Sequence, residues 1–290
     1  MTRVAGEAAP RAEHPRLPSS MTQPTQIHPT AIVEDGAQIG MGVRVDAYAL
    51  VGAGTVVGDG CHLRAHCILH PGTILEAKVL VDCHAVLGGD PQDVKFDRDT
   101  PSGVHIGEGA VIREHVTINR ATRPNARTSV GANTFLLAAC HVPHDAQIGP
   151  HTIVANGVLF GGFVEVGPYC FIGGSAVFHQ HMRVGEGVMV SGNASTGLDA
   201  APFTLVAERN GMHGLNYLGM RRRGFSKDEV SEVRRLFREV LDVPGNVRQH
   251  ALSQTAETAP GKRFLDFFQG GTRGFLSRYE TRRRTGQVQE

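Results

Sequence analysis

The chain has 290 residues, with 29 basic against 28 acidic residues, 36 glycines and no tryptophan. This near-neutral charge gives no field to attract nucleic acid or a membrane surface, and no apolar run approaches the ~20 residues that a membrane-spanning helix needs. Five cysteines without a CxxC pair argue against a disulfide framework or a zinc ribbon. The composition therefore predicts a soluble cytoplasmic protein.

The N-terminal segment differs from the rest of the chain. Residues 1–20 are rich in Pro, Arg and Ala and show no hydrophobic period. We predict that they form a disordered extension, and Met21 is a candidate start of the folded chain. The first 26 residues lack the apolar stretch of a signal peptide.

Residues 21–196 repeat with a period of six. The first position of each hexad is aliphatic or phenylalanine, as at Ile27, Val33 and Ile39, and the fifth is nearly always Ala, Val, Thr or Cys. Such a period fits neither a helix nor one alternating strand, but it fits short strands joined by tight corners. Three hexads make one triangular coil, and coils stack about 4.8 Å apart. The sequence therefore predicts a mainly β protein built as a parallel β-helix.

Two interruptions and a C-terminal region break this period. The interruptions, residues 88–105 and 121–129, are predicted to project as loops, because a solenoid buries its interior by stacking. After residue 196 the hexads stop. Ser226 and Glu229 form a capping box before a helical apolar pattern that Pro244 and Gly245 end, and further helical stretches are predicted at about 246–258 and around 264–268. We predict a small α-helical domain over residues 197–290.

Motifs within and after the repeat resemble those of one family. They are Gly-Gly-Asp-Pro-Gln-Asp-Val-Lys (88–95), His-Val-Pro-His-Asp (141–145), Phe-His-Gln (178–180), Arg-Arg-Arg-Gly-Phe-Ser (221–226) and Phe-Phe-Gln-Gly-Gly-Thr-Arg-Gly (267–274). The chain is similar, from about residue 26 to 278, to the acyl-carrier-protein-dependent UDP-N-acetylglucosamine O-acyltransferases among the hexapeptide-repeat acyltransferases. The resemblance implies a left-handed β-helix, an exception to the right-handed crossover rule. It also implies a homotrimer with active sites between neighbouring prisms.

The activity that the resemblance implies is an acyl transfer that begins lipid A synthesis. A fatty acyl group, expected to be 3-hydroxyacyl, would move from acyl carrier protein to the 3-hydroxyl of UDP-N-acetylglucosamine. No metal or other cofactor is implied, and the expected partners are the carrier protein and the sugar nucleotide.

Three catalytic residues follow from the resemblance: His144 as general base, Asp145 as its orienting carboxylate and the Gly162 N–H as oxyanion donor. A histidine near its ordinary pKa of about 6.5 suits the base role. Independently, His144, Gly162 and Gln180 share the third position of hexads 18 residues apart, which aligns them over about 9–10 Å. Neighbours on a strand face opposite ways, so the His144–Asp145 pairing requires a corner.

Ten further positions match substrate-binding residues of the family. They are Gln92, Asp93, Lys95, Asn119, His141, His179, Gln180, Asn216, Arg222 and Arg223. Asp93 would lie near the hexosamine, Lys95 near the phosphates, and the arginines at the pyrophosphate. A basic turn at 221–223 could alternatively dock the acidic carrier protein. Gly192 falls where the family limits acyl length, and a glycine there favours a longer chain.

Two departures keep alternatives open. Phe163 stands where the family usually has histidine, and Leu218 where it usually has glutamate, so a 3-amino UDP-sugar acceptor, which would give an amide, is a second hypothesis. A metal enzyme of the γ-carbonic-anhydrase kind would need His141, His144 and His179 to converge on zinc, which metal analysis would test. A structural solenoid that only binds partners is the non-enzymatic alternative.

Overall fold

A computed structural model describes residues 24–286. The extension predicted for residues 1–20, together with Met21, lies outside this range. Within it the chain forms many very short strands followed by a group of helices. In chain order the strands are β1 Gln26–Ile27, β2 Ile32–Val33, β3 Gln38–Ile39, β4 Arg44–Val45, β5 Leu50–Val51, β6 Val56–Val57, β7 His62–Leu63, β8 Ile68–Leu69, β9 Thr73–Leu75, β10 Leu80–Val81, β11 Val86–Gly89, β12 Gly103–Ile106, β13 Val111–Ile112, β14 Thr117–Asn119, β15 Arg127–Val130, β16 Phe135–Leu136, β17 His141–Val142, β18 Gln147–Ile148, β19 Ile153–Val154, β20 Glu165–Val166, β21 Phe171–Ile172, β22 Val177–Phe178, β23 Arg183–Val184, β24 Met189–Val190, β25 Ser195–Thr196, β26 Thr204–Ala207 and β27 Gly211–Leu215.

The strands form three sheets, which are the three faces of a prism. Face A contains β1, β4, β7, β10, β13, β16, β19, β21, β24, β26 and β27; face B contains β2, β5, β8, β11, β14, β17, β22 and β25; face C contains β3, β6, β9, β12, β15, β18, β20 and β23. Leu159 bridges β17 to β22 and so continues face B. Pairing is parallel throughout except between β26 and β27, and successive coils are in register, as in Gln147↔Glu165. The predicted parallel β-helix is confirmed.

The hexad pattern fills the interior of this prism. From Val45 onward the first-position side chains are buried, as at Leu69, Leu87 and Val142, whereas Ile27 at the open end of the prism is exposed. Four of the five cysteines, Cys61, Cys67, Cys140 and Cys170, also lie in this core, and burial raises the pKa of Cys67 to about 12. These buried thiols act as small apolar side chains, because reactive cysteines need a lowered pKa and solvent access.

Three corners join the faces of the prism. The first corner connects face A to face B, the second connects B to C, and the third connects C back to A. Both predicted loops arise at the second corner. The loop residues that lie outside strands are 90–102 and 120–126. Both loops are shorter than predicted, because β11, β12 and β15 extend into the interruptions.

The C-terminal region packs on the end of the prism. Its helices are α1 Tyr217–Arg222, α2 Lys227–Leu241, α3 Val247–Leu252, α4 Ala259–Asp266 and α5 Arg278–Arg284, with a 3-10 turn at Phe267–Gln269. Ser226 and Glu229 form the predicted capping box of α2. Residues 204–215, predicted as part of the helical domain, instead form β26 and β27, because β26 still pairs with β24 although the hexad spacing has ended. None of the helices in residues 24–286 has the length and apolarity needed to cross a bilayer.

Candidate active site

The second corner gathers most of the predicted site residues. Along the prism it carries, in order, loop 90–102, loop 120–126 and the turns at residues 143–146, 161–164 and 179–182. The last three turns stack through bridges from His141 to Leu159 and from Leu159 to Val177. Beneath them the inward rings of Phe160 and Phe178 pack with centroids 4.9 Å apart. One edge of the molecule therefore combines two loops, residues 90–102 and 120–126, with three regular turns that stack on one another.

His144 and Asp145 form a hydrogen-bonded pair in the first of these turns. The distance from His144 Nδ1 to Asp145 Oδ2 is 3.0 Å. Asp145 has φ +60°, which is the bend that turns its side chain toward its neighbour. Aspartate tolerates this left-handed conformation better than most residues. The pair therefore lies at a corner, as the adjacency of His144 and Asp145 in the sequence requires.

The Asp145 carboxylate is buried and held by donors. Burial alone would raise its pKa, but hydrogen bonds from the Thr122 hydroxyl, the Thr122 N–H and His144 hold the pKa below its ordinary value. The carboxylate is therefore ionised near neutral pH and only accepts hydrogen bonds. Because the carboxylate can only accept, the hydrogen bond requires a proton on His144 Nδ1, and in a neutral imidazole Nε2 would then be the atom that can accept a proton.

Gly162 lies directly against the His144 ring. A Cβ atom at residue 162 would come within 2.6 Å of His144 Cε1, so any larger residue would displace the imidazole. The Gly162 N–H donates no hydrogen bond to any acceptor within residues 24–286. A free backbone donor beside an imidazole is an arrangement that can stabilise an oxyanion.

Phe163, one of the departures from the family pattern, lies between several site residues. Its ring meets His144 edge-on, with centroids 5.2 Å apart, and stacks on His181 at 4.6 Å. The Arg123 guanidinium lies 5.7 Å from the Phe163 ring centre. The aromatic side chain therefore forms an apolar surface at the second corner, next to the histidine–aspartate pair.

Asn119 and His141 lie on face B beside this corner. Asn119 is buried, and its Nδ2 donates to the Asp90 carbonyl at 2.9 Å, while its Oδ1 has no partner among the described residues. His141 Nδ1 is 2.8 Å from Thr117 Oγ1. Burial and the neighbouring His144 lower the pKa of His141, so its neutral form is favoured.

The first loop presents three predicted substrate residues to solvent. Gln92, Asp93 and Lys95 are exposed, and Asp93 Oδ1 accepts from the Lys95 N–H at 2.9 Å. Arg120 braces this loop from below. Its guanidinium donates to the carbonyls of Arg98 and Thr100, both at 2.7 Å.

Three predicted residues lie further from the pair. His179 and Gln180 are exposed in the third stacked turn, and His179 Nδ1 lies 3.2 Å from the Gln180 carbonyl oxygen. Gly192 is exposed at the first corner, across face B from His144. Within one chain, Gly192 therefore does not join the group.

Asn216, Arg222 and Arg223 lie at the third corner. Asn216 caps α1 and donates from Nδ2 to the Gly187 carbonyl at 3.0 Å. Arg223 pairs with Glu186, while Arg222 is exposed. A single chain therefore keeps these residues apart from His144.

The structure adds residues that sequence reasoning missed. Thr122 and Thr128 both bond Asp145, Thr117 bonds His141, and Arg123 Nε approaches Asp145 Oδ1 at 3.5 Å. Thr122 is 23 positions from Asp145, which is no multiple of the coil length, so the repeat carried no signal for it. In residues 24–286 no three His, Cys, Asp or Glu side chains are grouped as a metal site.

Comparison with known proteins defines the class. A family model described as Udp N-acetylglucosamine O-acyltransferase, domain 2, matches residues 199–276, and one for the bacterial transferase hexapeptide matches residues 36–71. LpxA, a UDP-N-acetylglucosamine acyltransferase from Bacteroides fragilis, is structurally similar with a TM-score of 0.82 at 30% identity, covering 87% of this chain and all of that one. The fold and these matches define an acyltransferase built on a left-handed parallel β-helix.

Two relatives narrow the assignment. Acyl-[acyl-carrier-protein]--UDP-N-acetylglucosamine O-acyltransferases from Campylobacter concisus and Paraburkholderia phymatum are 35% and 39% identical over 86% and 87% of this chain. The matched regions cover 96% and 99% of those relatives. The chain belongs to the UDP-N-acetylglucosamine O-acyltransferase family.

Proposed function

We propose that this chain transfers a fatty acyl group, expected to be 3-hydroxyacyl, from acyl carrier protein to the 3-hydroxyl of UDP-N-acetylglucosamine. The reaction would be the first step of lipid A biosynthesis and would take place in the cytoplasm. The relatives named above are acyltransferases for this sugar nucleotide. The observation that carries the proposal is the His144–Asp145 pair with the His144 ring against Gly162.

The chemistry uses three groups of the chain. His144 Nε2 takes the proton from O3 of the sugar while O3 attacks the thioester carbonyl carbon. The Gly162 N–H donates to the oxyanion, and Asp145 stabilises the imidazolium through Nδ1. The C–S bond then breaks, and the carrier thiolate receives the proton from His144. Ester formation is thus balanced without a covalent acyl-enzyme.

A trimer would complete the site. Outward side chains are apolar on face A at Phe171 and Met189 and on face B at Leu159 and Val177, and the four are between 38% and 47% exposed. At the same level face C carries charged side chains, including Glu165. Two exposed apolar faces on one chain suit a cyclic assembly, in which each subunit contacts two neighbours.

The arrangement of the corners supports a shared active site. Faces A and B meet at the first corner, so their far edges are the third and second corners. Contact between face A of one subunit and face B of the next brings the third corner, with Arg222, beside the second corner, with His144. Arg222 then reaches the pyrophosphate, and Lys95 reaches it from the first loop. Arg223, paired with Glu186, mainly anchors this turn.

The decisive experiment is mass spectrometry of products from the purified protein. It receives UDP-N-acetylglucosamine and a panel of acyl carrier proteins bearing chains of different length. We expect a mono-acylated sugar nucleotide, with turnover reduced about 10²–10⁴-fold by His144→Ala, the usual loss when a general base is removed. His28→Ala, an exposed histidine on an early coil, is the matched control.

Near-normal turnover of the folded His144→Ala protein would overturn the proposal. The 3-amino UDP-sugar is the second acceptor to offer, because Phe163, in place of the family's usual histidine, lies 5.2 Å from His144. A product formed only with the amino sugar, stable to mild base as an amide, would replace the ester assignment.

A further inference from the structure

Three hydrogen bonds converge on one oxygen of Asp145. Thr122 N–H donates to Oδ2 at 3.0 Å, Thr122 Oγ1 donates to it at 2.7 Å, and His144 Nδ1 donates at 3.0 Å. The other oxygen, Oδ1, is buried and accepts no hydrogen bond from the residues that the structure describes. The orientation of this carboxylate therefore depends on the contacts of Oδ2.

Besides His144, Thr122 is the residue that hydrogen-bonds Asp145 Oδ2. It lies near the start of loop 120–126, while Thr128, just after the loop, accepts the Asp145 backbone N–H at 2.8 Å. Removal of Thr122 Oγ1 would leave Oδ2 with one protein donor besides the histidine. Arg123 does not replace it, because its Nε is 3.5 Å from Oδ1 and its side chain is largely exposed.

The same loop is attached to the first loop. The Asn125 N–H donates to the Pro101 carbonyl at 2.6 Å, and Ser102 Oγ donates to the Ala121 carbonyl at 2.5 Å. Thr122 follows Ala121 directly. The backbone that carries Thr122 is thus fixed on both sides, which gives its hydroxyl a defined direction toward Asp145.

We propose that Thr122 is a positioning residue for the reaction, acting on His144 through Asp145. This inference rests on the proposed function, because it assigns a task within the same histidine–aspartate pair. Thr122 keeps Oδ2 aimed at Nδ1, so that the imidazole stays in the tautomer and orientation that leave Nε2 facing the acceptor hydroxyl.

The test uses Thr122→Val, which keeps the side-chain shape and the N–H but removes the hydroxyl. We expect kcat to fall about tenfold, equal to about 1.4 kcal/mol, because a hydrogen bond to a charged group is lost. KM for the sugar nucleotide should stay within about twofold, because Thr122 bonds the catalytic pair rather than the substrate. Thr122→Ser, which retains a hydroxyl, should recover most of the lost kcat.

A double-mutant cycle separates positioning from folding. In an Asp145→Asn background, adding Thr122→Val should lower kcat no more than about twofold, because both changes disable one unit. Thr134→Val, which removes a buried threonine hydroxyl bonded to Gly149 far from the pair, should leave kcat unchanged. Independent, additive losses, or a Thr122→Val protein with wild-type kcat, would overturn the inference.

Failure of this inference is distinguishable from failure of the proposed function. If His144→Ala abolishes turnover while Thr122→Val does not affect it, only the role of Thr122 is wrong. If His144→Ala retains turnover, the base assignment itself is wrong, and the effect of Thr122 on kcat loses its explanation.

Discussion

At the scale of single residues, the second corner depends on unusual backbone positions. Asp145 and Phe163 both have φ near +60°, and each places its side chain beside His144. The third hexad position aligned His144, Gly162 and Gln180 from spacing alone. The left-handed φ of Asp145 recurs at the fourth hexad position, as at His151 and Phe163, so the repeat also locates this bend. The hydrogen bond from His144 to Asp145 depends in addition on the side-chain conformations, which a repeat pattern does not specify.

Gly162 gives the sharpest prediction at this scale. Gly162→Ala would place a Cβ 2.6 Å from His144 Cε1, so the ring must move by about an ångström. We expect kcat to fall on the order of 10²-fold, because displacement of a catalytic group by that distance removes its alignment. Steady-state kinetics on the purified variant provides the measurement.

Gly174→Ala is the matched control for that change. Gly174 occupies the same turn position at the first corner, and its new Cβ would contact only the Asn156 carbonyl oxygen at 3.3 Å. Equal losses of activity in the two variants would indicate a general effect on the coil, and the special role of Gly162 would then be wrong.

At the scale of elements, the two loops behave as one unit. Loop 90–102 is joined to loop 120–126 through Arg120, whose guanidinium also lies 4.7 Å from the Phe96 ring centre and pairs with Asp90 at 3.0 Å. The interruptions of the hexad period predicted both loops. Their attachment to each other was not predictable, because it is made by contacts between residues 19 or more positions apart.

We therefore expect Arg120→Ala to loosen the first loop. The contacts of Arg120 with Asp90, Phe96, Arg98 and Thr100 are lost. The segment that carries the exposed Gln92, Asp93 and Lys95 is then no longer held in one position. KM for the sugar nucleotide should rise about tenfold with a smaller change in kcat, because the loop is proposed to bind the substrate and not to take part in the chemistry. Initial-rate kinetics and limited proteolysis within residues 90–102 measure the two effects.

Arg98→Ala serves as the comparison, because Arg98 is on the same loop but its side chain is 85% exposed and, among the described residues, forms an ion pair with Asp90 alone. Such exposed ion pairs contribute little to the free energy of folding, so loss of this one should leave the loop in place. An Arg120→Ala protein with unchanged KM and unchanged protease resistance would contradict the bracing role.

At the scale of the whole molecule, one chain does not bring all of the proposed site residues together. His144 is at the second corner, Gly192 at the first and Arg222 at the third, so a full sheet face separates each from the next. The apolar side chains on faces A and B supply a reason for chains to associate, whereas face C carries the charged Glu165 at the same level. Assembly then determines whether the corners meet.

Phe171→Glu tests this assembly. A charge in the apolar stripe of face A should convert the proposed trimer to monomer, because its burial against face B leaves the carboxylate unpaired. Activity should be lost together with the trimer. Sedimentation equilibrium gives the mass, and Gln147→Glu on the exposed face C should retain both trimer and activity. A wild-type protein that sediments as an active monomer would contradict the shared site.

The sequence by itself determined the prism, its interior and the alignment of His144, Gly162 and Gln180, because burial of one aliphatic residue in every six is a local, repeated constraint. It also located the loops and the main helix, whose capping box is read directly from Ser226 and Glu229. Only the tertiary structure decided that β26 and β27 extend face A, that Thr122 holds Asp145, and that Arg120 braces the first loop. Those features arise from contacts between distant, non-repeating positions, for which neither period nor propensity carries information.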